Sequence, residues 1–268
     1  MLGKLAKRQP LVVSIWGSET YDFPQRSSIH KAFFKWVIKY PDVVCSTSED
    51  MAKVCQSFVN RPIEIVPFGI DTARFKMDKD REESGMLTIG TVKSLEAVYG
   101  IDRLLRAYAA YRNKSEQPSQ LIIYGSGSQE IELKQMAIEL NIDEHTYFKG
   151  FVTENNLIDA YASLDIYCAL SLRESFGVAV LEAQAMGLPV IVSDAGGLKE
   201  VVEDGITGFI VENGNADKAA SQMDALSNAI TRKEMGDKAR QFVVDNFDFQ
   251  KNLKDQVKIY DELIAKKK

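Results

Sequence analysis

Eight short runs of aliphatic and β-branched residues, each followed by a stretch with helical spacing, constrain this chain more than any other feature. The runs are LVVSIW from Leu11, VVCS from Val43, IEIV from Ile63, LTIGTV from Leu87, LIIY from Leu121, IYCAL from Ile166, PVIVS from Pro189 and GFIV from Gly208. Near-continuous apolar runs are the pattern of strands buried on both faces. Alternating with helices, such strands build a parallel sheet covered on both sides, an α/β doubly wound architecture. The 268 residues suffice for one large domain or two modest ones, with ordinary globular proportions of 45% apolar and 26% charged residues.

The runs divide unevenly. A polar, aperiodic stretch, MDKDREESG around residues 77–86, predicts a boundary. Residues 1–80 then hold three strand candidates, half of a Rossmann-like sheet, and residues 81–246 hold enough for a complete one. In the final segment, 247–268, Leu253, Val257, Tyr260 and Leu263 or Ile264 recur at helical intervals and predict one closing helix from Phe249 to Ala265. The opening MLGKLAKRQP reads as an internal helix preceded by a methionine. Cys45, Cys55 and Cys168 show no metal-ligand spacing, and Cys168 reads as core. Their odd number argues against a disulfide framework and fits a reducing cytosol. No run approaches the length of a membrane span, and Lys4, Lys7 and Arg8 interrupt any signal-peptide pattern. The expected location is therefore cytoplasmic. A net charge of −5 speaks against a nucleic-acid binder.

The segment from Arg173 to Glu182 follows the run IYCAL and leads into the helix former VAVLEAQAMG. A helix start offers unpaired N–H groups and partial positive charge, which suit a phosphate. Gly177 admits close approach to the backbone. Glu174 in the loop and Glu182 in the helix can face one cleft, where carboxylates accept hydrogen bonds from sugar and ribose hydroxyls. On spacing alone, a pair of surface charges on an ordinary helix is the favoured reading. Gly125 and Gly127 follow LIIY as a plain strand-to-helix turn or as part of a nucleotide site. The Asp194-Ala195-Gly196-Gly197 stretch reads as a structural turn. The first βα turn of the larger part lacks G-x-G-x-x-G, which sets a dinucleotide-dependent dehydrogenase aside. The helix around Ile29 to Tyr40 spaces Lys31, Lys35 and Lys39 on one stripe, with Phe34, Val37 and Ile38 on another side. It is either a solvated amphipathic helix or a peripheral contact with an anionic membrane surface.

Glu174-Ser175-Phe176-Gly177 followed by Glu182 matches the pattern E-x-F-G, four residues, E. With GLPVIVSDAGGLKEVVEDGITGFIV, FKGFVT, IVPFGIDTARF and the ending NFDFQKN…IYDELI, it makes the chain resemble glycosyltransferase family 4, the retaining "group 1" enzymes. The resemblance implies a GT-B fold of two Rossmann-like domains, and a UDP- or GDP-linked sugar as donor substrate with no metal and no further cofactor. It also implies a glycan or lipid-linked acceptor from cell-surface polysaccharide or glycolipid assembly. By the same resemblance Glu174 contacts the donor sugar, and the amides around Ser175, Phe176, Gly177 and Val178 meet the sugar and diphosphate. Glu182 holds the ribose, and the backbone of Gly150, Phe151 and Val152 edges the nucleobase. The chain departs from the family at two places. Where an Arg and a Lys are usual, Gly90-Thr91-Val92-Lys93 and Val98-Tyr99-Gly100 stand, leaving Lys93 as the candidate for the diphosphate. Where His-Gly is usual, Trp16-Gly17-Ser18-Glu19 stands, leaving Gly17 and Glu19 to face the cleft. The resemblance also places the chain's start part-way through the first domain. A catalytically incomplete binding module, completed by a partner chain, therefore stands as the alternative to an enzyme.

Overall fold

The structure is a computed structural model that describes residues 10–77, 85–212 and 215–266. The opening MLGKLAKRQ and most of the MDKDREESG stretch lie outside the described residues.

The first part builds β1 (Val12–Ile15), a one-turn helix α1 (Ser18–Tyr21), α2 (Ser28–Lys39), β2 (Val43–Ser46), α3 (Glu49–Gln56) and β3 (Glu64–Ile65). The strands are parallel in the order β1-β2-β3, with Val12 opposite Val43 and Cys45 opposite Glu64. Serines start both longer helices: Ser27 Oγ accepts from the His30 amide and Ser48 Oγ from the Met51 amide, each satisfying a donor the helix cannot. Ile15, Phe34, Ile38, Val44, Met51 and Cys55 close the core between sheet and helices.

The second part is a full Rossmann-like unit. In chain order come β4 (Leu87–Val92), α4 (Ile101–Arg112), β5 (Ser119–Tyr124), α5 (Glu130–Glu139), β6 (Thr146–Gly150), α6 (Leu157–Ala162) and β7 (Ile166–Ala169). Then follow α7 (Val178–Ala185), β8 (Val190–Ser193), β9 (Gly208–Val211), α8 (Ala216–Ala225) and α9 (Ala229–Asn246). All six strands are parallel, in the order β6-β5-β4-β7-β8-β9. The strand order reverses between β4 and β7, where open α/β sheets bind their ligands beyond the strands' carboxyl ends. Strand β6 was not among the eight apolar runs. It is an edge strand, so Tyr147 and Lys149 point to solvent and break the apolar continuity.

The chain closes with α10 (Phe249–Ala265), as its periodicity predicts. This helix joins the first part. The two compact units are residues 1–69 with 247–268, and residues 70–246. The division thus falls at Gly69, earlier than the polar stretch suggests. Its cause lies in the turn after Pro67: Ile70 and Phe75 are buried, and the Arg240 guanidinium on α9 donates to the carbonyls of Thr72, Phe75 and Ala185. On the other side of the break, a Cβ at Gly69 would collide with the Phe249 backbone, and Asn252 donates to the Phe68 carbonyl at 3.2 Å. All three cysteines are free and buried. Among the described residues no helix is long and apolar enough to cross a membrane.

Candidate functional site

The carboxyl ends of β4 and β7 bring the two expected reactive side chains together. Lys93 directly follows β4, and Glu174 stands in the loop between β7 and α7. Lys93 Nζ lies 2.6 Å from Glu174 Oε2, the two side chains being 20% and 13% exposed. The same ammonium sits 4.2 Å from the centroid of the Tyr99 ring, an attractive cation–π placement. The Lys93 backbone is fixed as well. Its amide donates to the Tyr124 carbonyl at 2.9 Å. Gly125 adopts φ +139°, and a Cβ there would run into the Lys93 carbonyl. The Gly125 amide donates to the Gly150 carbonyl at 2.7 Å, and the Leu95 amide to the Ser126 carbonyl at 3.0 Å. A Cβ at Gly127 would meet the Leu95 backbone. The loops after β4, β5 and β6 are therefore stitched edge to edge, which gathers Lys93, Gly125, Gly127 and Gly150. Beyond Gly150 the edge is open: no atom lies near a Cβ built there, Phe151 is exposed and Val152 half-buried.

Gly177 starts α7 at φ +112°, and no side chain caps the helix. A Cβ at Gly177 would stand 3.0 Å from Leu198 Cδ2 and 3.1 Å from Val201 Cγ2. Phe176 is buried and anchors the turn, and the Glu174 carbonyl accepts from the Gly197 amide at 3.0 Å. With Ser175 and Val178 the turn directs the positive end of α7 toward the loop that holds Glu174. One turn further on, Glu182 Oε2 accepts from the Tyr161 hydroxyl at 2.7 Å. Burial pushes the Glu182 carboxyl up from its ordinary value. The Tyr161 hydrogen bond and the charges of Arg74 and Lys93 act in the opposite direction. Arg74 is held by the Glu154 carboxylate at 2.7 Å and the Glu154 carbonyl at 2.8 Å.

Gly17 and Glu19 belong to the first unit. There Glu19 Oε1 folds back on its own turn, accepting from the amides of Gly17, at 2.9 Å, and Trp16. Trp16 packs edge-to-face on Phe68, with ring centroids 5.5 Å apart. Sequence reasoning assigned no part in the site to Tyr99, Tyr161 or Arg74. Tyr99 and Arg74 stood inside segments already singled out, Gly90 to Gly100 and IVPFGIDTARF. Tyr161, in α6, carried no such mark.

Comparison with known proteins gives this geometry its setting. The profile described as "Glycosyl transferases group 1" matches residues 73–242, and one described as "Glycosyl transferase 4-like" matches residues 1–48. The chain is 26% identical to the N-acetyl-alpha-D-glucosaminyl L-malate synthase of Bacillus anthracis, over 97% of this chain and 70% of the relative. It is 32% identical to a D-inositol 3-phosphate glycosyltransferase of Corynebacterium jeikeium, over 75% of this chain and 52% of the relative. The chain thus spans about half the length of several curated relatives that it matches. Among solved structures, Anabaena HepE in complex with UDP and glucose superposes with a TM-score of 0.84 at 19% identity, over 97% of this chain and 73% of that one. The sucrose-phosphate synthase of Thermosynechococcus elongatus gives 0.85 at 22% identity, over 98% and 70%. These likenesses bear out the α/β, GT-B-type fold. With a family match running from residue 73 to 242 of 268, the chain belongs to the glycosyl transferases group 1 family.

Proposed function

We propose that the second unit binds a nucleoside diphosphate sugar, and that the protein transfers the sugar, with retention at the anomeric carbon, to a hydroxyl of a polysaccharide or glycolipid precursor. The observation that carries this reading is the convergence of Lys93, Glu174 and the uncapped start of α7 where the sheet reverses. Lys93 and the helix start stabilise the negative charge that grows on the departing diphosphate. Glu174, held by Lys93, orients the donor sugar through its hydroxyls. Glu182 has one oxygen held by Tyr161, and the other takes the ribose hydroxyls. Gly150, Phe151 and Val152 edge the base, while Gly125 and Gly127 line the diphosphate side. The reading calls on no metal and no cofactor besides the donor. The relatives' names point to small anionic or inositol-bearing acceptors: malate, inositol 3-phosphate and a phosphatidylinositol mannoside.

A three-stranded first sheet, half the width of the second, favours a second reading. In it the chain holds the sugar nucleotide, and a partner chain adds strands to complete the first unit before turnover.

Thermal-shift titration with UDP, GDP and their common sugars tests both. Saturation at about a hundred times Kd adds about 2.7 kcal/mol and raises the midpoint by roughly 5–10 °C. One nucleotide should produce that rise, and Glu182→Ala should abolish it. A cooperative melt unmoved by every nucleotide overturns the donor site. Binding without release of sugar to any acceptor selects the second reading.

A further inference from the structure

The turn from Asp71 to Phe75 is held more firmly than a simple connection requires. Asp71 Oδ1 accepts from the amides of Ala73 at 3.2 Å and Arg74 at 3.0 Å, and Arg240 clamps the carbonyls of Thr72 and Phe75. The buried Phe75 meets the Tyr161 ring edge-on, with centroids 6.1 Å apart, and Tyr167 of β7 meets the same ring at 5.8 Å. Tyr161 is thus fixed in the core at 0% exposure, with its hydroxyl donating to Glu182 Oε2 at 2.7 Å. Were this position needed only to fill space, phenylalanine would fill it without a buried hydroxyl to satisfy. Glu182 itself is half-buried, so its carboxylate is not sealed from a ligand. Arg74 on the turn and Lys93 after β4 place positive charge near it, and Tyr161 and Tyr167 are its titratable neighbours. Helix α9 brings Arg240 to α7, bonded to the Ala185 carbonyl.

We propose that Tyr161, backed by Phe75, is a positioning residue that fixes Glu182 for a ribose, so that the site selects ribonucleotides over deoxyribonucleotides. The proposal rests on the reading of the second unit as a sugar-nucleotide site. With Oε2 committed to Tyr161, Oε1 is left to accept from a ligand, and its two lone pairs match the two neighbouring hydroxyls of a ribose. A deoxyribose brings one hydroxyl and leaves part of that acceptor unpaired. A site built to bond a hydroxyl rejects the analogue that lacks it, and a carboxylate that is held cannot turn to find another donor. Donation from Tyr161 also favours the ionised carboxyl, the form that accepts from both hydroxyls.

Titration calorimetry of the full chain with UDP, dUDP, GDP and dGDP, repeated on acidification, tests it. The native chain should prefer the ribonucleotide of the base that it binds by at least about tenfold. Tyr161→Phe should cut that preference to about two- to threefold, by weakening the ribonucleotide and hardly touching the deoxyribonucleotide. The fall in ribonucleotide affinity on acidification should also move to higher pH, because the hydrogen bond that favours the ionised carboxyl is gone. Phe75→Leu keeps the hydroxyl and removes its backing ring, and should lower the preference in the same direction by about twofold. Equal weakening of ribo- and deoxyribonucleotide in Tyr161→Phe overturns the proposal, by reducing Tyr161 to packing. So does an unchanged preference in that variant or, should it fail to fold, in Phe75→Leu. In each of these cases the donor reading stands. A folded native chain that binds neither UDP nor GDP removes the donor reading, and this proposal with it.

Discussion

The loops after β4 and β7 leave neighbouring strands at the sheet's reversal and end alike, each in a left-handed glycine that begins a helix: Gly100 at φ +64° and Gly177 at φ +112°. Their chemistry differs. The β7 loop carries the family's motif residues intact, while the β4 loop has lost the usual cations and keeps Lys93. The β4 loop is held by its neighbours. The Val98 carbonyl accepts from the Leu172 amide at 2.8 Å. Tyr99 lays its ring beside the remaining ammonium. A Cβ at Gly100 would collide with the Leu170 carbonyl, where the β7 loop begins, so each loop forms part of the other's mould. The β7 loop shows the family's motif in its side chains; the β4 loop is held chiefly through its backbone, with Lys93 as its one cation toward Glu174.

The comparison breaks most severely at the ion pair. Lys93→Met should weaken nucleotide binding by about a hundredfold and leave the mostly buried Glu174 carboxylate unpaired, a loss of up to about 3 kcal/mol. Adding Glu174→Gln should restore much of that stability and none of the affinity, read by calorimetry and by thermal melts. Affinity that recovers along with stability would reduce the pair to a structural clasp. Next come the glycines. Gly100→Ala meets backbone and should cost at least about 2 kcal/mol, whereas Gly177→Ala meets movable side chains at an unfavourable φ and should cost about 1 kcal/mol. The reverse order in urea unfolding would contradict the mutual mould. Tyr99→Leu should lower nucleotide affinity about two- to fivefold by removing the ring from Lys93.

The smallest effect concerns Glu182 and pH. Burial raises its carboxyl pKa above the ordinary 4.5, so the folded chain keeps this proton to a higher pH than the unfolded chain does. Its contribution to stability is therefore full below about pH 4.5 and declines as pH rises through the folded value. Glu182→Gln lacks that decline and still accepts from Tyr161. Its midpoint should match the native chain's in acid and exceed it by a degree or two at neutral pH. A native chain that stays the more stable at neutral pH would mean that Arg74 and Lys93 outweigh burial.

Most of the fold was legible because a strand buried on both faces leaves a continuous apolar run, and all eight runs became strands. Strand β6 escaped because an edge position relaxes that demand at Tyr147 and Lys149. Glu174, Gly177 and Glu182 stood out through the motif they share with the family, with the other family-like segments around it. Tyr161 did not, because its hydrogen bond to Glu182 joins residues 21 apart in sequence, brought together only by the packing of α6 against the sheet. The compact units divide at Gly69 and not at the more visible polar stretch, because the segment between the two is held by Arg240, far along the chain. In α2 the wheel offers apolar residues on two faces, and spacing alone does not say which one a sheet will cover.

The burial of every cysteine has a practical consequence. A thiol reacts as its thiolate, and burial pushes Cys55 up to about 11 and raises Cys45 and Cys168 as well. At neutral pH the native chain should be silent toward maleimide reagents. A single cysteine introduced at exposed Phe33, or at Val178 beside the start of α7, would then take a dye or spin label alone, with all three native sulfurs left in place.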